Sequence, residues 1–221
     1  MSNRYTTYTP PPHTALHILF QDEYLLVVNK PAGLLSVPGK GSEKQDCLVS
    51  RCAETFGDIH ITHRLDMSTS GIITFARSKD VVRAMNQLFA SRAVSKTYIA
   101  VVDGIVEKDS GEINAPLMVD WPNRPKQKVD EQGKPSCTLY QVISRDDLAH
   151  TTRVQLTPIT GRSHQLRVHM MNIGHSILGD EFYASDKAFK KANRLLLHAA
   201  QLSFIHPITG QPVLIDCPPS F

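Results

Sequence analysis

The chain has 221 residues, of which 41% are hydrophobic and 20% charged, and its formal net charge is +3. That composition suits a soluble globular protein with a substantial core and excludes general disorder, while so small a charge does not by itself announce a nucleic-acid protein. No apolar run approaches the roughly 20 residues of a membrane-spanning helix, and residues 1–13 resemble neither a signal nor a transit peptide, so a cytoplasmic location is expected by elimination.

Residues 1–14, with Pro10-Pro11-Pro12, are expected to form an extended or disordered arm that need not join any core. Residues 16–20 and 24–28 read as two strands around a turn, the second apolar throughout and therefore central. Asn29-Lys30-Pro31-Ala32-Gly33 then makes a turn with Lys30 at its rim, and residues 34–37 suggest a further short strand. Asp46 is a candidate cap for a helix whose Leu48, Cys52 and Phe56 share a face. A stronger helical stripe of Val81, Val82, Met85, Leu88 and Phe89 runs over residues 79–92.

The run Thr97-Tyr98-Ile99-Ala100-Val101-Val102, preceded by Lys96, reads as a strand. Residues 121–135 hold four basic side chains, three prolines and the only Trp, which makes a stiffened basic loop. Strands are expected at residues 138–143 and 153–156, then a helix after Gly161 with Ser163 as its cap and Leu166, Met170 and Ile173 facing the core. Lys187, Lys190, Lys191 and Arg194 form a second basic stretch, and residues 202–205 and 213–215 close the chain as a hairpin. Strands and helices do not alternate regularly. The expected class is α+β, one folded domain over residues 15–221, with a mixed, mostly antiparallel sheet flanked by helices.

Between the strand pattern ending at Ile61 and the next apolar run lies His63-Arg64-Leu65-Asp66-Met67-Ser68-Thr69-Ser70-Gly71. A loop carboxylate on a rigid scaffold is well placed to meet a ligand, although an Asp in a turn more often caps its own backbone. Other chemistry finds little support. The four cysteines and ten histidines lack metal-site spacing, and neither a G-x-S-x-G elbow nor a phosphate-binding glycine loop is present. What remains is a carboxylate, arginines, a strand aromatic and basic loops, a set suited to RNA because guanidinium groups pair with phosphates and stack on bases.

Five segments in order carry a resemblance: Asn29-Lys30-Pro31-Ala32-Gly33, His63-Arg64-Leu65-Asp66 with Ser70-Gly71, Lys96-Thr97-Tyr98, residues 161–169 and Leu196-Leu197-His198-Ala199. Together they resemble the RluA-type pseudouridine synthases, and the likeness covers residues 16–221. It implies a catalytic domain with a basic RNA-binding cleft, without an S4 module, that isomerises uridine to pseudouridine with no cofactor or metal. The implied substrates are the anticodon stem-loop of certain tRNAs and a 23S rRNA hairpin, met by a monomer with no membrane partner.

On the same basis Asp66 is the catalytic carboxylate, as nucleophile or base, Arg167 its pairing arginine and Tyr98 the aromatic on the target base. Arg64 takes the place of the flipped nucleotide and Leu197 touches the base, while Lys30, Arg124, Lys126 and Lys128 meet phosphates. Two other classes compete with this reading. An RNA-binding module without chemistry would not need Asp66, Tyr98 and Arg167 together, and a metal-dependent hydrolase would lose activity to a chelator.

Overall fold

The structure is a computed structural model that describes residues 8–221. In chain order the strands are β1 (Ile18–Gln21), β2 (Leu25–Lys30), β3 (His60–Ile61), β4 (Ser70–Ala76), β5 (Ser95–Asp103) and β6 (Ser110–Asn114). They continue with β7 (Leu117–Val119), β8 (Gln127–Val129), β9 (Cys137–Asp146), β10 (Thr151–Pro158), β11 (Leu197–Ile205) and β12 (Pro212–Asp216). The helices are α1 (Leu48–Phe56), α2 (Lys79–Ala90), α3 (Gln165–Asn172) and α4 (Asp186–Lys190). None of them is long and apolar enough to cross a membrane.

The chain divides into two compact units. The first comprises the described residues up to Lys96 together with His198–Ser220, and the second Thr97–Leu197 with Phe221. In the first unit β2 lies antiparallel to β1 and β4, β3 is antiparallel to β4, and β11 runs antiparallel to β12 but parallel to β4. In the second unit β10 lies antiparallel to β5 and β9, β6 pairs β9, and β7 and β8 form a separate hairpin. This is the α+β class with a mixed, mostly antiparallel sheet.

The apolar pattern explains where the cores sit. All seven residues of β4 are buried, polar Ser70 and Thr74 included, as are Leu25, Leu26, Val27 and Val28 of β2, which make an unbroken apolar run. Helix α2 buries Val81 and Met85, and Ser78 caps it by accepting the N–H of Val81. The core of the second unit gathers Ala100 and Val102 of β5, Val154 and Leu156 of β10, and Leu166 and Met170 of α3, with Ile173 packed against them. The helical stripe expected for α3 therefore faces the core.

Several local expectations are corrected. Residues 34–37 form no strand, because their polar groups turn toward other segments: the carbonyl of Leu35 takes the N–H of Leu48, and Ser36 bonds Leu65. Cys47, not Asp46, caps α1, while Asp46 forms a paired bond with Arg51 at 2.7 and 2.8 Å. The same guanidinium donates to the carbonyls of Pro11 and Pro12, which ties the described part of the arm to α1; residues 1–7 lie outside the described residues. At α3 the cap position belongs to His164 in a left-handed conformation (φ 55°) and not to Ser163. Gln165 secures that end instead, accepting from Thr160 and from the N–H of Arg162. The basic loop also contains β8, for which the prolines leave room at Gln127–Val129.

Candidate active site

In the first unit Asp66 sits half-buried in the connection from β3 to β4, and the chain on either side of it is tied down. Ser36 donates its hydroxyl to the carbonyl of Leu65 (2.7 Å) and accepts the N–H of Leu65 (3.2 Å). On the other side the carbonyl of Met67 accepts from Gly33 N–H (2.9 Å) and from the Lys30 ammonium (3.0 Å). Bonds placed at the two neighbours of a residue hold its Cα–Cβ direction.

Both ends of the loop are anchored too. His63 accepts the N–H of Thr74 through Nε2 (3.1 Å), and burial, with help from the charge of Lys96, pushes it down to about 3, so it stays neutral. At the other end Ser70 donates to His198 Nδ1 (2.8 Å), because His198 Nε2–H is already committed to the carbonyl of Cys217 (2.8 Å). Gly71 is required by the parallel pairing of β4 with β11: a Cβ there would lie 2.6 Å from the Ala199 nitrogen and closer still to its carbonyl oxygen.

Lys30 corrects the reading of a rim lysine that meets phosphates. It is completely buried, and its ammonium spends its three N–H donors on the carbonyls of Pro31 (2.9 Å), Leu34 (2.7 Å) and Met67 (3.0 Å). No donor is left for a backbone phosphate. Burial lowers its pKa to about 7, opposed by the charge of Asp66, so Lys30 is an electrostatic neighbour of the carboxylate as well as a brace for its loop. Arg64, two residues before Asp66, is exposed and enters no ion pair among the described residues.

The second unit holds Arg167 on α3, 1% exposed. Its Nε donates to Asp180 Oδ2 (2.8 Å) and its Nη2 to Asp180 Oδ1 (2.6 Å), with Glu181 at 3.3 Å. The Phe182 and Tyr183 rings lie 4.9 and 5.3 Å from the guanidinium carbon. Asp180, wholly buried, also accepts the N–H groups of Phe182 and Tyr183, so a single carboxylate orders both the guanidinium and the turn carrying those rings.

Tyr183 also reaches the basic loop. Its hydroxyl accepts the N–H of Gln127, the first residue of β8 (2.8 Å), and shares a hydrogen bond with His164 Nδ1 (2.6 Å). Arg124, Lys126 and Lys128 thus belong to a hairpin tied to the surroundings of Arg167. Arg124 is exposed over Trp121, and Lys128 pairs Asp130 at 2.8 Å. Tyr98 faces Leu156 across the β5–β10 ladder, half-buried against the core. Leu197, 3% exposed, lies inside the core cluster, the place its residue type alone favours.

Sequence reasoning assigns no role to Asp180, Glu181, Ser36 or Tyr183, which brace Arg167, Leu65 and Gln127. The signal for Asp180 is an acid directly after the apolar Ile177-Leu178 and a glycine whose Cβ would strike the backbone of Arg194 and Leu195. Ser36 gives no such signal. Among the described residues no group of three or more His, Cys, Asp or Glu side chains is placed to hold a metal. Chemically, the arrangement offers a rigidly held, half-buried aspartate in one unit and a desolvated, fully bonded guanidinium in the other.

Comparison with known proteins identifies the family. Residues 24–172 match the model of a family described as RNA pseudouridylate synthase. The chain is 51% identical over 216 residues to the dual-specificity RNA pseudouridine synthase RluA of Pasteurella multocida, covering 97% of this chain and 98% of that one. It is 48% identical over 215 residues to the Escherichia coli K12 protein of the same name, with the same coverage of 97% and 98%. Among solved structures, human RNA pseudouridylate synthase domain containing 1 superposes with a TM-score of 0.78 at 27% identity, covering 96% of this chain and 87% of the other. The chain therefore belongs to the RluA-type RNA pseudouridine synthases, enzymes that isomerise uridine in RNA.

Proposed function

We propose that this enzyme modifies specific uridines in structured RNA hairpins, namely the anticodon stem-loop of tRNA and a hairpin of 23S rRNA, as a cytoplasmic monomer with no cofactor or metal. The observation that carries the reading is Asp66: it is half-buried, and its two neighbours are pinned by Ser36, Gly33 and Lys30. That the substrate is RNA rests on the relatives, named dual-specificity RNA pseudouridine synthases, and the two hairpins rest on the resemblance of the sequence motifs.

In this mechanism the N-glycosidic bond of the target uridine breaks, the bound uracil turns, and C5 bonds to C1′. The C5 proton is then lost and N1 regains one, so the reaction is a pure isomerisation. It needs an ionised oxygen at the ribose, as nucleophile or base, and Asp66 supplies it. Arg167 acts as the cation that favours that ionised form, and Tyr98 as the ring on which the base rests.

Extruding a nucleotide costs a few kcal/mol, and Arg64, exposed beside Asp66, offsets part of that by stacking where the base was. Arg124, Lys126 and Lys128 neutralise phosphates, so affinity should fall as salt rises. Leu197 contributes an apolar edge to the base. The test is incubation of the purified protein with transcribed tRNA that lacks pseudouridine, followed by mapping of the product. Pseudouridine at one anticodon-arm position supports the reading, and binding without product sinks it.

A further inference from the structure

Trp121 is the aromatic member of an otherwise aliphatic set of exposed large apolar side chains, with 66% of its surface open. A side chain with so much apolar area is normally drawn inward, and here the surrounding fold holds it out. The turn that carries it is closed on itself: Asp120 N–H donates to the carbonyl of Lys126, Lys126 N–H to that of Asn123, and the Asn123 side chain to Asp120. Just beyond, Gln127 is fastened to Tyr183, and β7 and β8 pair in register from Val119–Gln127 to Leu117–Val129. The indole is therefore presented on a rigid support and needs little ordering when a ligand arrives.

The Arg124 guanidinium lies 4.0 Å from the Trp121 ring centre, and Lys126 and Lys128 follow within four residues. An aromatic face backed by a guanidinium and flanked by lysines matches a stacked base attached to a phosphate backbone, since every base offers a π-face and cations meet the phosphates. We propose that Trp121 and Arg124 form a stacking platform for an unpaired nucleobase of the substrate RNA other than the target uridine. Such a platform would distinguish hairpins that present an open loop from duplex of equal charge. The proposal rests on the RNA reading above.

Because the sequence contains a single Trp, indole emission reports this position alone. The unmodified full-length protein is titrated with a transcribed anticodon-arm hairpin and, separately, with a blunt RNA duplex carrying the same number of phosphates. Stacking predicts that the hairpin quenches the emission and the duplex does not. In an anisotropy titration with labelled hairpin, Trp121→Ala should bind about 10-fold more weakly, with Trp121→Phe restoring most of the affinity.

Unchanged emission when the hairpin is bound, equal quenching by the duplex, or wild-type affinity in Trp121→Ala would each overturn the platform. None of these readouts needs turnover. A protein that is quenched by the hairpin but forms no pseudouridine contradicts only the catalytic reading, and one that forms product without quenching contradicts only the platform.

Discussion

Asp66 and Arg167 are held by opposite means. Around Asp66 the bonds run to backbone: Ser36, Gly33 and Lys30 grip Leu65 and Met67, and Asp66 itself is half-buried. Around Arg167 the bonds run to the side chain itself, through Asp180, Glu181 and two rings, and it is almost wholly buried. The carboxylate is thus aimed through its neighbours, whereas the guanidinium is immobilised directly, a contrast that suits the roles proposed for them.

The sharpest way to break this contrast is Asp180→Asn. It leaves a buried guanidinium short of its bonded counter-charge, and removing one partner of a buried pair costs about 3–5 kcal/mol. Urea unfolding should show that loss; a change below about 1 kcal/mol would mean that Arg167 does not depend on Asp180. Ser36→Ala comes next, stranding the N–H and carbonyl of Leu65 at about 2–3 kcal/mol in total. Its signature should be kinetic as well, with kcat falling while RNA affinity holds, because the Asp66 loop is mis-aimed and the binding surfaces are untouched.

Lys30 gives a pH-dependent test. Its folded value of about 7 lies below the ordinary 10.5, so between the two the unfolded chain holds the extra proton. The unfavourable contribution of this group is complete below pH 7 and is relieved as pH rises, by up to about 1.4 kcal/mol per pH unit. Lys30→Met should lack that slope. Equal slopes for both proteins in urea midpoints taken across about one to two pH units above 7 would contradict the burial-driven shift. The smallest effect is expected for Tyr183→Phe, which keeps the ring on Arg167 but unties Gln127, at about 1 kcal/mol and with weaker RNA binding. Full retention of affinity would show that the basic hairpin does not need this tether.

Much of the molecule was legible because its signals are local. The stripe of α2, the apolar run of β2, the closing hairpin and the α3 residues that face the core follow from periodicity, which each segment carries within itself. The failures are residues whose role is decided by distant partners. Lys30 reads as a turn lysine until three carbonyls, one of them 37 residues away, take its donors. Asp46 reads as a cap, and Arg51 claims it as an ion-pair partner, while Ser36 is a plain loop serine until Leu65 arrives. Asp66 stands out only through its family motif, since its local setting alone suggests a turn.

The decisive substitution is Asp66→Asn, which preserves size and the backbone bonds at Leu65 and Met67 while removing the ionised oxygen. The measurement is pseudouridine formed in an unmodified tRNA transcript, taken beside binding of the same RNA. The expected result is no product with undiminished RNA affinity and an unchanged fold. Near-normal product from Asp66→Asn would contradict the central claim that this loop is built to present a catalytic carboxylate.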